Sequence, residues 1–371
     1  MLITRRKTRI ISVGNVPIGG DNPVSIQSMT NTDTRDALAT LAQINELSKA
    51  GCQIIRVAIP DQTAANAIKT LVEQSPIPVI ADIHFDYKLA LTAIKNGVNC
   101  IRINPGNIGS EDNIKAVADA AGTAGIPLRV GANSGSLSNK YKIKKKMSPT
   151  DKVDILSDAL VNSALNQCEK LERYNFKDIK VSLKASDVQS TVWAYRKFAK
   201  ISNYPLHLGV TEAGTYFHST VKSSIGIGAL LLDGIGDTIR VSVTGDCVQE
   251  IKIAKAILES TGHLLPCPEI ISCPTCGRTE VELIPLVDKV EKLIETIKNS
   301  GAKFNPCKIA IMGCAVNGPG EAKDADLGIA GARNNFIIFR KGNTVGAFDE
   351  NSAFKVFTKE IYKLLLNPQS T

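Results

Sequence analysis

Four residues near the C-terminal end have the types and spacing of a metal centre. Cys273-Pro274-Thr275-Cys276 is a Cys-x-x-Cys turn, Cys314 follows 38 residues after it, and Glu321 lies seven residues beyond Cys314. A structural zinc site normally takes four Cys or His ligands, and no His follows the turn. Three thiolates therefore favour an iron–sulfur cluster, with Glu321 as a candidate fourth ligand. Because one Cys-x-x-Cys turn is a weak signal, zinc and ordinary buried or redox cysteines stay open as alternatives.

A second set of reactive side chains lies at the ends of short apolar segments in the first two thirds of the chain. A single Arg at the end of a strand usually forms a salt bridge at the rim. Several cations at one place are hard to pair internally, because a charge on an apolar strand needs a partner or a ligand. Guanidinium and ammonium groups are the usual binders of phosphate oxygens, so the set predicts an anion site suited to a diphosphate. The cations are Arg56, Arg102, Arg129, Lys184 and Arg240.

Uncharged and acidic side chains accompany these cations at the same strand ends. His84 is either a substrate contact or a structural histidine, and the sequence favours neither. His207 comes at the start of its strand, so we interpret it as structural. The other candidates for this site are Asp82, Asn104, Asn133, Thr211, Glu212 and Ser242.

The elements that must position these residues follow a regular alternation. Eight apolar segments of strand length are separated by segments with helical periodicity, such as 37–47 and 191–198. Eight strands alternating with helices predict a (β/α)8 TIM barrel, whose functional groups lie at the carboxyl ends of the strands. A short hairpin in the first twenty residues precedes the barrel. The predicted strands are 24–29, 53–58, 78–83, 100–104, 127–131, 179–183, 206–211 and 238–243.

The pattern changes after residue 260. Thr261-Gly262 and two prolines, Pro266 and Pro268, predict a linker. An amphipathic helix near 281–299, four short strands and a closing helix near 353–366 predict a smaller α+β domain. We therefore expect a substrate-binding TIM barrel over 1–263 and an iron–sulfur domain over 264–371. The four strands are predicted at 308–312, 327–330, 336–339 and 344–348.

Composition narrows the classes of function. The chain has 371 residues, 43 % of them hydrophobic, and a net charge of +8. Nucleic acid would be one partner for that charge, but only 5 % of the residues are aromatic and none interleave with basic residues as base-stacking sites require. Apolar runs long enough for a membrane span or a signal peptide are absent from the sequence, so we expect no membrane association. Nine dispersed cysteines fit a reducing cytoplasm better than a disulfide framework.

The residues around the cysteines resemble a known enzyme family. Ile271–Arg278 and Gly313–Glu321 closely resemble the corresponding segments of 4-hydroxy-3-methylbut-2-enyl diphosphate synthases of the methylerythritol phosphate pathway. The likeness extends upstream to the loops 129–136, 210–214 and 240–246, and so covers nearly the whole chain. Since we see no large insertion between the two domains, the chain resembles the short bacterial form of this family.

The resemblance implies a cofactor, a substrate and residue roles. It implies a [4Fe-4S] cluster on Cys273, Cys276, Cys314 and Glu321, the last being the exchangeable, catalytic ligand. It implies that the cations, with Asn133 and Ser242, hold 2-C-methyl-D-erythritol 2,4-cyclodiphosphate, and that Glu212 is the acid–base residue. The implied product is (E)-4-hydroxy-3-methylbut-2-enyl diphosphate.

The resemblance also implies partners. Flavodoxin or ferredoxin would supply electrons, and a homodimer would place each cluster domain over the barrel of the partner. The basic segment Lys140–Lys146, which has five lysines in seven residues, is either a solvated loop or a docking patch for an acidic electron carrier. Two other classes stay open on the residues alone: a nucleic-acid regulator, and a phosphate-binding aldolase or pterin-type transferase whose metal is structural.

Overall fold

The computed structural model divides into two compact units, Met1–Leu264 and Leu265–Thr371. The structure describes residues 3–104, 107–133, 148–265, 268–300, 306–316, 320, 322–333 and 335–366. Glu321 and the segment Lys140–Lys146 lie outside these residues. Within the described part of the chain, no helix is both long enough and apolar enough to cross a membrane.

The first unit is an eight-stranded parallel barrel, as the sequence predicted. Its strand order is β8-β7-β6-β5-β4-β3-β10-β9, and a bridge between Val181 and Leu206 joins the two ends of the sheet. The strands are β3 (Ser25–Met29), β4 (Ile54–Ala58), β5 (Val79–Asp82), β6 (Cys100–Ile103), β7 (Leu128–Asn133), β8 (Ile179–Lys184), β9 (His207–Leu208) and β10 (Thr238–Ile239). The last two are much shorter than predicted, with two residues each.

Helices follow the barrel strands in turn. Seven of the eight begin at an acidic or Ser N-cap whose side chain accepts a hydrogen bond from the first turn, which satisfies a backbone N–H that has no helical partner. The helices are α1 (Ala37–Ala50), α2 (Gln62–Gln74), α3 (Tyr87–Lys95), α4 (Glu111–Ala124), α5 (Pro149–Glu172), α6 (Val188–Ile201), α7 (Tyr216–Leu232) and α8 (Cys247–Ser260). The caps are Asp36, Asp61, Asp86, Ser110, Ser148, Asp187 and Asp246.

Alternation along each strand decides which side chains face the barrel interior. In β8, Ile179, Val181 and Leu183 belong to the main apolar core beneath the helices. Lys180 and Lys184 therefore face the barrel interior, and both are buried. The amino-terminal end of the barrel is covered by the predicted hairpin, β1 (Ile11–Val13) and β2 (Val16–Ile18), which packs against Ile54, Ile80 and Cys100.

The second unit is an α+β domain with a five-stranded mixed sheet of order β11-β12-β13-β14-β15. The strand β11, which immediately precedes Cys273, was missed by the sequence analysis. The elements are β11 (Glu269–Ser272), α9 (Leu283–Asn299), β12 (Lys308–Met312), β13 (Leu327–Ala332), β14 (Asn335–Arg340), β15 (Asn343–Phe348) and α10 (Glu350–Leu366). Both helices pack on the sheet through an apolar cluster that includes Val290, Ile311 and Phe357.

Candidate functional site

The carboxyl end of the barrel brings the predicted cations together. Arg56, Arg102 and Lys184 are 9 %, 6 % and 6 % exposed, so these charges are almost completely removed from solvent. Arg129 does not end its strand, contrary to the prediction: it is the second residue of β7, in register with Arg102 of β6, and it is 3 % exposed. The strand continues to Asn133, which occupies the predicted position at the end.

Asp82 neutralises the cations on one side of this mouth. Its carboxylate lies 3.0 Å from Arg102 Nη1, 3.6 Å from Arg56 Nε and 3.5 Å from His84 Nε2. Burial acts to raise the pKa of Asp82, but the Arg56 charge, the His84 hydrogen bond and the Arg102 charge outweigh it and hold the pKa well below its usual value. Burial lowers the pKa of Arg56 to about 10, against the attraction of Asp82. Asp82 therefore positions two arginines in addition to any contact with a ligand.

His84 occupies the rim of the same cluster. Its Nε2 lies 2.9 Å from Arg102 Nη1, and its side chain is 54 % exposed. This position is compatible with either of the roles considered for it, a ligand contact or an outer support of the Asp82–Arg102 pair. Asn104, the residue after β6, is 7 % exposed at the same end of the barrel.

Glu250, which was not predicted from the sequence, neutralises a cation on the other side of the mouth. This residue of α8 is 3 % exposed and accepts hydrogen bonds from Ser28 Oγ at 2.8 Å and from the Val243 backbone N–H at 3.1 Å. Its Oε1 also lies 3.6 Å from Arg240 Nη2. Glu250 therefore joins strand β3, the loop after β10 and a mouth arginine. Its position in a helix gave no signal of this role.

No described carboxylate forms an ion pair with Lys184 or Arg129, although Asp82 attracts Arg129 from a longer distance. Burial lowers the pKa of Lys184 well below its usual value, and repulsion from Arg129, Arg240, Arg56 and Arg102 lowers it further. Burial also depresses the pKa of Arg129, and repulsion from Arg56 and Arg102 adds to this effect, which the attraction of Asp82 offsets only in part. A bound anion would raise both pKa values, because its negative charge would stabilise the charged forms of the two side chains. A negatively charged ligand would therefore be stabilised most on this side of the mouth.

Glycine makes room for Lys184. A Cβ at Gly209, which follows β9, would lie 2.6 Å from Lys184 Nζ and 2.5 Å from the carbonyl oxygen of Arg240. Only a residue without a side chain fits between these two groups. Gly209 thus permits the close approach of β8, β9 and β10 that brings Lys184 beside Arg240.

The remaining predicted residues lie on loops at the same end. Glu212 is exposed and has a φ of 52°, an uncommon backbone conformation for a residue other than glycine. Thr211, just before it, donates its backbone N–H to the Ala185 carbonyl, at 3.2 Å. The carbonyl of Ser242 accepts a hydrogen bond of 2.7 Å from Ser219 Oγ, which fixes the loop after β10.

The cysteine loops meet in the second unit. Cys273 follows β11 and Cys314 comes two residues after β12, and these strands are parallel neighbours, so both loops leave the same edge of the sheet. The Gly313 N–H donates to Cys273 Sγ at 3.2 Å, and the Glu280 N–H donates to the Gly313 carbonyl at 2.9 Å. Cys276 is exposed, Cys273 partly buried and Cys314 buried. All three are thiols without a disulfide.

The donor types suit an iron–sulfur cluster, which takes cysteine thiolates by preference. Among the described residues, no three His, Cys, Asp or Glu side chains form a group that could hold one metal ion. The predicted fourth ligand, Glu321, lies outside the described residues.

Comparisons with known proteins cover both units. Residues 8–255 match the family model of the GcpE TIM-barrel domain, and residues 269–363 match that of the GcpE protein C-terminal domain. A 4-hydroxy-3-methylbut-2-en-1-yl diphosphate synthase (flavodoxin) of Clostridium acetobutylicum is 51 % identical over 361 residues, covering 96 % of this chain and 99 % of the relative. The synthase of the same name from Fusobacterium nucleatum is 52 % identical over 362 residues, covering 98 % and 99 %.

Among solved structures, the barrel is similar to a type I 3-dehydroquinate dehydratase from Clostridium difficile. The TM-score is 0.50 at 13 % identity, over 69 % of this chain and 98 % of that one, which shows a shared fold only. The match of both domain families and the identity of about half over nearly the full length settle the relationship. The chain belongs to the GcpE family of 4-hydroxy-3-methylbut-2-en-1-yl diphosphate synthases.

Proposed function

We propose that this chain converts 2-C-methyl-D-erythritol 2,4-cyclodiphosphate to (E)-4-hydroxy-3-methylbut-2-enyl diphosphate. The reaction opens the ring at a C–O bond, consumes two electrons and releases water. The observation that carries the proposal is the buried cationic mouth, in which Lys184 and Arg129 lack a carboxylate partner among the described residues. The identity with the synthases of the family supports the same reaction.

The cations would bind the diphosphate of the substrate. Lys184 and Arg129 would meet its charge directly, whereas Arg56, Arg102 and Arg240 would offer guanidinium forks already oriented by Asp82 and Glu250. Asn104, Asn133, Thr211 and Ser242 would supply neutral hydrogen bonds around it. Preorganised donors of this kind lose little entropy when the ligand arrives.

Glu212 would deliver the proton to the departing hydroxyl. It lies on the loop that follows β9, where a barrel enzyme carries its catalytic groups, and its left-handed backbone is the kind of local strain that collects at functional sites. General acid catalysis by a positioned carboxyl typically contributes about 10²- to 10⁴-fold.

The cysteine loops would hold a [4Fe-4S] cluster, with Cys273, Cys276 and Cys314 as thiolate ligands and Glu321 as the fourth. Such a cluster supplies electrons to the substrate one at a time. A carboxylate exchanges more readily than a thiolate, so Glu321 would be the ligand that gives way. Cys276 is exposed and Cys314 is buried, so the cysteine loops offer one ligand that contacts solvent and one that does not.

The partners follow from the same proposal. The relatives are named for flavodoxin, and we propose flavodoxin as the donor, with ferredoxin as the alternative. We also propose a cytoplasmic location, which suits free thiols, and a homodimer in which the cluster domain of one protomer caps the barrel of its partner. A role for the segment Lys140–Lys146 in docking the electron carrier stays a prediction.

Anaerobic turnover of the cyclodiphosphate with reduced flavodoxin tests the reaction. The wild-type protein should form the product, and Glu212→Gln should lose at least about a hundredfold in kcat while retaining its iron content and its visible absorption. Cys276→Ser should lose iron and activity together. Zinc in place of iron, or no product from iron-replete protein, would contradict the proposal.

Mixed dimers test how the sites are assembled. A dimer of one Glu212→Gln and one Cys276→Ser protomer keeps one intact site if barrel and cluster come from different protomers. Random mixing should then restore about a quarter of wild-type activity, since half of the dimers are mixed and each has one of two sites. No recovery would show that each protomer builds its own site.

A further inference from the structure

The barrel interior below the mouth contains polar side chains that the proposed function does not use. Gln27 of β3, Lys180 of β8 and His207 of β9 are 1 %, 0 % and 0 % exposed. Their strand neighbours Ile26 and Val181 pack in the apolar core under the helices, so alternation turns the polar residues into the barrel. Arg129 and these three residues are called the interior site below.

Each of these side chains has buried polar atoms without a hydrogen-bond partner among the described residues. They are Lys180 Nζ, His207 Nε2, both amide atoms of Gln27, and Arg129 Nε and Nη1. Buried polar groups are nearly always satisfied, and one left unpaired is costly, so such a cluster indicates a bound species. Arg129 and Lys180 are register partners on the neighbouring strands β7 and β8. Both cations also lower the pKa of His207.

Nearby acids do not neutralise these cations. Asp82, the carboxylate that acts on Arg129, pairs with Arg102 and Arg56 at the mouth. Asp237, the carboxylate that acts on Lys180, accepts hydrogen bonds from Arg5 and from the Leu206 backbone N–H.

The weakly acidic neighbours stay uncharged as well. Burial raises the pKa of the Cys100 thiol, and burial likewise raises the pKa of Tyr195, whose hydroxyl donates to the His207 carbonyl. His207 itself is neutral, since burial and the surrounding cations lower its pKa well below the usual value. The interior site therefore combines two cations with an excess of hydrogen-bond donors.

We propose that the interior site binds a small monovalent anion of halide size between Lys180 and Arg129, with His207 as a further donor. An anion suits the site better than water, because it accepts hydrogen bonds from several donors and offsets the buried positive charge. Burial lowers the pKa of Lys180 to about 8, and a bound anion would favour its protonated form. Arg129 would then serve two anion sites, the mouth above and the interior site below.

Crystals of the full-length protein grown with bromide in place of chloride test this directly. The expected result is an anomalous peak inside the barrel within hydrogen-bond distance of both Lys180 Nζ and the Arg129 guanidinium. A peak at the mouth alone, or an ordered water at the interior position, would overturn the proposal.

Thermal unfolding gives a second readout that does not need crystals. At constant ionic strength, replacing gluconate by chloride should raise Tm by about 2 °C or more, because a ligand of the native state stabilises it. Lys180→Met, which replaces a buried charge with an apolar chain of similar length, should fold and lose this dependence on chloride. Lys200→Met, at an exposed lysine, should keep it. An equal chloride response in all three proteins would also overturn the proposal.

Discussion

The cations on the two sides of the barrel mouth differ in whether a buried carboxylate pairs with them. On strands β4, β6 and β10, each arginine faces a buried carboxylate: Asp82 serves Arg56 and Arg102, and Glu250 serves Arg240. On β7 and β8, Arg129 and Lys184 form no ion pair with a described carboxylate, although Asp82 attracts Arg129 from a longer distance. One side is thus neutralised by the protein itself, whereas the other would be completed by an anion. This difference indicates that the diphosphate would bind most strongly to the side formed by Arg129 and Lys184.

Removing the ammonium group on the unpaired side should have the largest effect. We expect Lys184→Met to lower kcat/KM for the cyclodiphosphate by about a hundredfold or more, since loss of one partner of a buried charge pair costs about 2–5 kcal/mol. The apolar chain should leave folding unimpaired or slightly improved, because the free protein no longer buries a repelled charge. Steady-state kinetics measures the effect, and the exposed Lys200→Met is the matched control. Equal kinetics for the two variants would show that Lys184 does not bind the substrate.

On the paired side, the main effect should fall on stability. Asp82→Asn keeps the shape of the side chain but leaves Arg56 and Arg102 buried without a counter-charge. The free energy of unfolding should fall by about 3 kcal/mol, as when one member of a buried ion pair is removed.

Chemical denaturation measures this loss, and Asp233→Asn provides the control. Asp233 pairs with Arg196 at 2.7 Å, but both side chains are about a third exposed, so the change should cost less than about 1 kcal/mol. Similar losses in the two variants would contradict the distinction between buried and exposed pairs.

A methyl group added at Gly209, where β8 approaches β9, should displace Lys184 without removing its charge. Gly209→Ala places a Cβ 2.6 Å from Lys184 Nζ and 2.5 Å from the Arg240 carbonyl, so one of them must move. We expect KM to rise about tenfold, because misplacing a binding group is costly even when its chemistry is kept. Gly122→Ala, in helix α4, should leave KM unchanged, because the added Cβ would meet only the Phe176 ring, at an ordinary contact distance of 3.9 Å. An unchanged KM for Gly209→Ala would show that Lys184 needs no such clearance.

The smallest effect is expected at Glu250. Glu250→Gln keeps an oxygen for the Val243 N–H and a polar group for Ser28, and removes only the charge beside Arg240. The free energy of unfolding should fall by about 1–2 kcal/mol, less than for Asp82→Asn, because one arginine rather than two loses its partner. Denaturation of the two variants side by side checks the order, and the reverse order would show that Glu250 is the main anchor.

The barrel could be predicted from the sequence because its signal is local. Six strands were predicted within one or two residues at most ends, since each is an apolar run bounded by a loop. The strands β9 and β10 are two residues long because only His207–Leu208 and Thr238–Ile239 keep the regular pairing. Strand β11 was missed because its four residues, Glu269–Ser272, include a charge and lie next to prolines. The boundary of the two units fell near the predicted linker.

The candidate site could be predicted only in part, because its pairing is tertiary. The mouth residues were found from their place after apolar runs, but nothing in the sequence shows that Glu250 reaches Arg240 from a helix. The inward direction of Arg129 also depends on the register of β7, because a shift of one residue would turn its side chain to the opposite face of the sheet. The cysteines were recognised by spacing, whereas their meeting depends on the parallel pairing of β11 with β12.

Calorimetry of cyclodiphosphate binding, in buffers of different ionisation enthalpy, tests the central claim most directly. Each phosphate of the ligand carries one strongly acidic group, so the ligand does not titrate near neutral pH, and any protons taken up must go to the protein. Because the pKa of Lys184 is depressed in the free protein and an anion would raise it, binding should be accompanied by proton uptake, and Lys184→Met should lack that contribution. Binding without proton uptake, or the same uptake in Lys184→Met, would contradict the assignment of the diphosphate to the unpaired side of the mouth.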